Sequence, residues 1–316
     1  MNSEKAAISA VICTRNRGDR IVATVNSILA NTHPNFELLI VDQSTNDVTK
    51  EALQPFLQLP QVRYIRSNTV GAGHSRQIGL IQAKGDIVAF TDDDCTVPPD
   101  WLTTLSTIFD SEKSVGVVYG NVISAPHDES KGTVPHHVNT TSRTISSLTK
   151  YWESIGMGAN MALRRQKCLA IGGIDRSLGP GSRFCSGEDH DIAIRVLVNG
   201  LAVHETANTF VVHDGFRSFA DFRELTRRDW YAIGAVHAKY FKCKFLAIIP
   251  LILFNTVVRG FWHPISMIGQ GKRPQGFKRL LFYWEGFSAG MRSKVDCEKQ
   301  LYWITENVLQ ETLSQG

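Results

Sequence analysis

Apolar and polar positions follow two different rhythms along the first half of the chain. Short runs dominated by apolar and β-branched residues recur: "AISAVIC" (Ala7–Cys13), "FELLIVD" (Phe36–Asp42), "VRYIRS", "DIVAF" (Asp86–Phe90) and "VGVVYG". Between them lie stretches with helical spacing, over Arg20–Ala30, Thr49–Leu57, Gly73–Ala83 and Trp101–Phe109. Strands that are apolar almost without alternation, and separated by helices, predict βαβ units around a mostly parallel sheet of the Rossmann-like α/β class. Residues 121–155 are polar, rich in Ser, Thr and His, and predict an irregular loop. Beyond them the pattern predicts a short helix over Arg164–Ile171 stopped by Gly172-Gly173. A second helix over Asp189–Asn199 is stopped by Gly200, and a strand "TFVVH" runs into His213.

Open sheets of this kind bind ligands at the carboxyl ends of their strands. Thr14-Arg15-Asn16, Asp42 and the triplet Asp92-Asp93-Asp94 all fall at such ends. Three adjacent carboxylates repel one another and need a reason to be there. In an extended backbone, residues two apart point the same way, so Asp92 and Asp94 converge on one face while Asp93 points elsewhere. Two hard oxygen ligands on one face suit Mg2+ or Mn2+ shared with substrate phosphates. The plainer reading is a solvated acidic turn or a cap on the helix that begins at Trp101. A buried strand in front and Pro98-Pro99-Asp100-Trp101 behind favour the metal.

Composition bounds the rest. The chain has 316 residues, 43% hydrophobic and 20% charged, an ordinary folded protein of one large domain or two smaller ones. Net charge is +4, too little to argue for nucleic acid, but it is unevenly placed. From Phe219 onwards there are 14 Lys+Arg against 8 Asp+Glu, so the basic surplus lies in the C-terminal third. Six cysteines (Cys13, Cys95, Cys168, Cys185, Cys243 and Cys297) show no CxxC pair, which predicts reduced thiols and a cytoplasmic chain. The opening "MNSEKAAISAVICTRNR" has no signal-peptide layout.

The motifs "VICTRNR", "LLIVDQSTND", "GHSRQIG", "VAFTDDDC", "NMALRR…GGID", "GEDHDIAIR" and "VVHDG" stand in the order and spacing of family 2 glycosyltransferases, and from Ala7 to Gly215 the chain resembles that family. The resemblance implies a GT-A fold and an inverting enzyme that uses a nucleoside-diphosphate sugar, with UDP favoured. Asp92 and Asp94 match the family's metal-binding DxD pair, and His213 matches a histidine that completes the metal site in some members. Thr14, Arg15 and Arg17 match the loop lining the nucleotide pocket, and Asp42 matches the acid that hydrogen-bonds the base. Gly73, Ser75 and Arg76 match a segment near the nucleotide, and Asp93 is grouped with these donor-binding residues. Asp189 matches the catalytic base, with Glu188 beside it contacting donor or acceptor. An attacking hydroxyl must lose its proton, which a carboxylate at a helix start can accept. The chain departs from the family in having Asp42-Gln43-Ser44-Thr45 in place of Asp-Asp-Gly-Ser, and Ser75-Arg76-Gln77 in place of Ala-Arg-Asn.

The expected organisation is a catalytic domain over 1–215 and a helical, basic and apolar region over 216–316. In the latter, Phe245–Phe254 is unbroken apolar sequence, but Pro250, Asn255 and Arg259 argue against a membrane span. Lys239, Lys242 and Lys244 precede it, and Lys272, Arg273, Lys278 and Arg279 follow. Apolar surface ringed by cations suits peripheral contact with an anionic membrane on its cytoplasmic face. The expected partners are therefore a nucleotide-sugar donor and a saccharide or lipid-linked acceptor, and no nucleic acid. A sugar-1-phosphate nucleotidylyltransferase would need a glycine-rich loop that "CTRNRGDR" lacks. A non-catalytic nucleotide-sugar binder is disfavoured by the intact Asp92, Asp94 and Asp189.

Overall fold

The computed structural model describes residues 7–150, 156–270 and 276–304. The first half runs β1 (Ile8–Thr14), α1 (Ile21–Leu29), β2 (Phe36–Asp42), α2 (Val48–Leu53), β3 (Val62–Arg66), α3 (Ala72–Gln82) and β4 (Ile87–Asp92). There follow β5 (Cys95–Thr96), α4 (Trp101–Ser111), β6 (Val115–Ser124), β7 (Gly132–Thr133), β8 (Arg143–Ile145), β9 (Asn160–Arg164), α5 (Arg165–Ala170), α6 (Glu188–Val198), β10 (Ala202–His213) and β11 (Arg217–Ser218). The remainder is mainly helical: α7 (Phe219–Lys242), α8 (Leu246–Gly269) and α9 (Phe277–Arg292), closed by the hairpin β12 (Val295–Asp296) and β13 (Leu301–Tyr302).

The main sheet has the order β3-β2-β1-β4-β9-β6-β10-β5, with β8 added on β10. β3, β2, β1 and β4 are parallel, as are β6 and β10. β9 is antiparallel to both of its neighbours, β4 and β6. The sheet is thus mixed rather than simply parallel. The strand "NMALR" is short and runs straight into α5, so its pattern merged with that of the helix. Alternate residues of one strand feed opposite layers: Val11, Leu39, Val88 and Phe90 face α3 and α6, whereas Ala10, Ile12, Leu38 and Ile40 face α1 and α4. Burial on both faces is why these strands read as continuous apolar runs.

The C-terminal helices differ from expectation in two respects. Pro250 does not interrupt the chain, because it stands in the first turn of a helical segment where its missing N–H has no partner to lose. Asn255 bonds back to the Leu251 carbonyl (2.9 Å), and Phe254–Trp262 is wound as a π-helix. α8 therefore continues for 24 residues, long and apolar enough by length and composition to cross a membrane. Lys272 and Arg273 lie outside the described residues. α7 and α9 touch backbone to backbone, since a methyl group on Gly234 or Gly286 would collide with the facing carbonyls of Tyr283 and Tyr231.

The cysteines are not all free. Cys243 and Cys297 form a disulfide with Cα atoms 5.2 Å apart, tying the end of α7 to the terminal hairpin. Their separation of 54 residues, with no local pattern, made the pairing invisible in the sequence. Closing a loop of that length stabilises by about 4 kcal/mol in the chain-entropy description. Cys243→Ser should lower urea-unfolding stability by that order. Identical midpoints with and without dithiothreitol in the parent protein would show that the bond does not form.

Candidate active site

Register brings the polar strand ends together. Thr14 stands opposite Asp42, and Cys13 opposite Asp92. On the far edge, β5 pairs antiparallel with β10 so that Cys95 faces His213, which sets the imidazole beside Asp94. Asp93 and Asp94 form the turn between β4 and β5, not an extended segment. The two-residue alternation expected of the triplet consequently fails, and all three aspartates line the same cleft.

Two arginines hold this acidic edge. Arg17, from the loop after β1, donates to Asp93 (2.7 Å) and to Asp94 (2.8 Å). Arg76, from α3 and almost wholly buried, donates to Asp92 (2.8 Å) and to Glu188. Burial pushes the Asp93 carboxyl up to about 6 against the pull of Arg17. Burial acts on Asp94 in the same sense, but the hydrogen bond and charge of His213, with Arg17, outweigh it and hold Asp94 below the usual carboxylate range. Glu188 is raised to about 7 by burial, with Arg76 opposing. Six acids, Asp92, Asp93, Asp94, Glu188, Asp189 and Asp229, share the cleft with Arg17, Arg76, Arg217 and His213. The acids outnumber the guanidiniums, so the cleft favours further positive charge.

His213 shows where a metal fits. Its Nδ1 lies 3.0 Å from the Pro135 carbonyl, which can only accept, so Nδ1 carries the proton. Its Nε2 lies 3.3 Å from an Asp94 oxygen; burial alone would lower the imidazole, but the hydrogen bond and charge of Asp94 outweigh it and raise it above its usual range, so the charged ring donates to the carboxylate. A divalent cation could take the place of that proton between the two groups, and a ligating histidine is commonly oriented by such a second hydrogen bond. The Cys95 sulfur is also close, within 4.8 Å of the Asp94 and His213 donor atoms. Burial holds that thiol far above its ordinary range in the metal-free site.

Across the cleft stands the N-terminus of α6, entered through Gly187 in the left-handed region (φ 86°). Asp189 is half-buried; its Oδ2 accepts the Gly158 N–H (2.9 Å) and its Oδ1 the His190 N–H (2.7 Å). Tyr119 donates to the Asp189 carbonyl (2.6 Å). The cleft between these acids and the metal edge holds about 630 Å³, within the usual range of small-molecule sites. Its roof is one stripe of α7, Phe222, Leu225, Asp229 and Ile233.

The structure thus gathers Arg17, Arg76, Asp92, Asp93, Asp94, Glu188, Asp189 and His213. It does not bring the remaining expected residues into the cleft lining. Thr14 is buried at the strand end and Arg15 is exposed outside the lining. Asp42 is fully enclosed: Ser44 N–H (2.7 Å) and hydroxyl, Tyr64 (2.7 Å) and Arg66 (3.3 Å) occupy its oxygens, leaving none directed at a base. Gly73 is an interior residue, because a methyl there would strike the Leu178 and Asp175 carbonyls. The Ser75 hydroxyl turns back onto the Ala72 carbonyl (3.1 Å). Sequence reasoning placed Asn16 at a strand end without a role and missed Thr49; the two pin the Arg17 loop. Asn16 N–H donates to Ser44 (2.7 Å), and Thr49 accepts from Arg17 N–H (3.1 Å). It also missed Asp229, which accepts from Ser186 (2.6 Å) and is raised to about 6 by burial. The i, i+3, i+7 spacing of the α7 stripe was the available signal.

A mixed sheet flanked by helices, with an acidic strand-end edge and a facing helix-borne carboxylate, has the architecture of the GT-A fold. Residues 9–172 match the model of the glycosyl transferase family 2, and the chain belongs to that family. It is 26% identical over 235 residues to a glucosyl-dolichyl phosphate glucuronosyltransferase of Haloferax volcanii, covering 71% of this chain and 74% of that protein. It is 32% identical over 133 residues to the glycosyltransferase GlyG of Streptococcus pneumoniae, covering 42% and 43% of the two. Among solved structures, a mannosyltransferase from Pyrobaculum calidifontis in complex with GDP-Man and Mn2+ superposes with a TM-score of 0.61 at 16% identity, over 94% of this chain and 78% of that one. GalNAc-T7 with UDP, GalNAc and Mn2+ gives 0.57 at 15% identity, over 86% and 59%. The protein is a sugar-transferring enzyme.

Arg76 is the residue whose removal should be most costly. Arg76→Ala leaves Glu188 buried without its partner, a loss of about 3–5 kcal/mol in urea unfolding. Adding Glu188→Gln should recover most of it. A double variant as unstable as the single one would show that the pair is not what matters.

Proposed function

We propose that this enzyme is a metal-dependent, inverting glycosyltransferase. It transfers a sugar from a nucleoside diphosphate, UDP being favoured, to the hydroxyl of a saccharide or lipid-linked acceptor. The observation that carries this reading is the Asp94 oxygen and the His213 Nε2 lying 3.3 Å apart on one wall, where a cation can replace the proton between them. Asp189 faces them from the other. Asp94 and His213 would hold Mn2+ or Mg2+, with Asp92 as the second carboxylate of the DxD pair. A divalent ion there neutralises charge on the diphosphate leaving group.

The chain's own residues do the rest. Arg17 and Arg76 add fixed positive charge where the diphosphate departs. Asp93 lines the approach of the nucleotide, and Thr14 and Arg15 belong to the strand end and loop that carry Arg17. Asp42 supports the nucleotide side indirectly, by fixing the Ser44 turn, and Gly73 and Ser75 seat the helix that carries Arg76. Asp189 is oriented by the Gly158 and His190 N–H groups, so that a free lone pair can take the proton of the acceptor hydroxyl. As that oxygen bonds to the anomeric carbon, the bond to the diphosphate oxygen breaks with its electron pair. A single displacement from the opposite face inverts the centre. Glu188, held by Arg76, positions the sugar.

The likeness to a dolichyl-phosphate-glucose-modifying enzyme and the apolar, basic C-terminal helices support a role in glycolipid or polysaccharide synthesis. We place the enzyme peripherally on the cytoplasmic face, the Cys243–Cys297 disulfide being the one feature at odds with a reducing compartment.

A thermal-shift panel of UDP, GDP, dTDP and CMP, each with and without Mn2+, tests the donor site. A nucleotide at 100 times its Kd stabilises by about 2.7 kcal/mol. One nucleotide should give a metal-dependent shift that Asp94→Asn with His213→Ala removes. No shift from any nucleotide would refute the reading. Asp189→Asn should keep the shift and lose transfer by roughly 10²–10⁴-fold. Unimpaired transfer would remove Asp189 from the role of base.

A further inference from the structure

The outward side of α8 is almost entirely apolar. Leu253, Val257, Val258, Phe261, Trp262 and Ile265 are all exposed, and Trp262 keeps 63% of its surface in solvent. Along Leu246–Gly269 the sole exposed polar side chain is His263. α9 continues the same character: Phe277, Leu281 and Trp284, at i, i+4 and i+7, are exposed, with Leu281 at 69%. The two helices are packed together, a methyl on Gly260 of α8 lying 2.9 Å from Leu280 of α9. So large a contiguous apolar surface is unstable in water and implies an occupant.

The surrounding charge says which. Lys244 precedes α8 and Lys278 opens α9, both exposed, with Arg279 beside Lys278. At the other edge α9 supplies Glu285 to a cavity of about 240 Å³ with Arg183, Arg227 and Arg228. A second copy of this chain would bring like cations against these, whereas an anionic bilayer would not.

We propose that α8 and α9 seat the enzyme in the plane of an anionic membrane, their shared apolar face entering the interface without crossing it. A crossing is ruled against by the inner stripe of α8. Ile248, Leu251, Ile252, Asn255, Gly260 and Pro264 are buried against the protein, and a span would strip them off and expose Asn255 to hydrocarbon. α7 packs against α9 and its Asp229 stripe roofs the cleft, so the acceptor side of the site is held beside the lipid surface. This deepens the membrane part of the proposed function by naming the surface and its mode.

Flotation of the full chain with vesicles tests it. Binding should be strong to phosphatidylcholine mixed with phosphatidylglycerol and weaker to phosphatidylcholine alone. Trp262→Asp with Leu281→Asp should weaken binding about tenfold or more, since each change removes a buried apolar side chain. Lys244→Glu with Lys278→Glu should abolish the preference for anionic vesicles, by about fivefold per charge. Tryptophan fluorescence should be quenched more by lipids brominated near the headgroup than by lipids brominated deep in the chain. No flotation, or binding indifferent to Trp262→Asp and Leu281→Asp, would overturn the proposal. Deep quenching exceeding shallow would establish a span instead, and a dimer in ultracentrifugation broken by the same variants would assign the face to a second copy. The nucleotide-induced thermal shift should be the same in all these variants. Failure at the membrane is therefore separable from failure of the donor site.

Discussion

Carboxylate crowding is the constraint around which this protein is organised. Asp92, Asp93 and Asp94 meet Glu188 and Asp189 in one cleft, and such a group would force itself apart or protonate without compensation. Arg17 and Arg76 each clamp two of them. Arg76 does so from inside the protein, reaching Glu188, 112 residues away in sequence, and thereby joining the start of α6 to the end of β4. That bridge fixes the separation of the two walls, and with it the width of the site.

Beneath the site a second buried ionic group serves a mechanical purpose. Lys239 of α7, with no exposure, lies 2.7 Å from Asp175 and 2.6 Å from Asp191 of α6. Tyr240 donates to Asp191 (2.9 Å), and the Tyr302 N–H of the terminal hairpin donates to Asp175 (3.0 Å). Buried charges are tolerated only when so paired, and any displacement of α7 would unpair them. α7 is thereby locked to α6, and the helix carrying Asp189 is coupled to the helices that present the apolar face. The disulfide between Cys243 and Cys297 closes the same junction from outside.

Enzyme and surface thus share one rigid body. Asp189, the proposed base, sits at the start of α6. The roof over it is α7, and α9 lies directly against α7 through glycines that allow backbone contact. An acceptor arriving from a lipid surface would meet the cleft without leaving the protein's contact zone. The packing thus relates the exposed apolar face of α8 and α9 to the cleft.

The chain's own order of residues determined the strands, the helices and the strand-end placement of the acids, because apolar periodicity and stop signals are local. That Arg17, Arg76, Asp92, Asp94, Glu188, Asp189 and His213 belong together was legible in the short motifs that carry them, and the fold brings them into one cleft. Tertiary structure decided what depends on pairing between distant segments. Only the β5–β10 register sets His213 against Asp94, and only the tight turn at Asp93–Asp94 turns all three aspartates inward. Only the packed fold encloses Asp42 among Ser44, Tyr64 and Arg66, joins Cys243 to Cys297, and makes Asp229 a wall of the site. Sequence records which groups a residue carries and its neighbours along the chain. Which charge it faces, and whether water reaches it, are settled by residues that folding brings from far away.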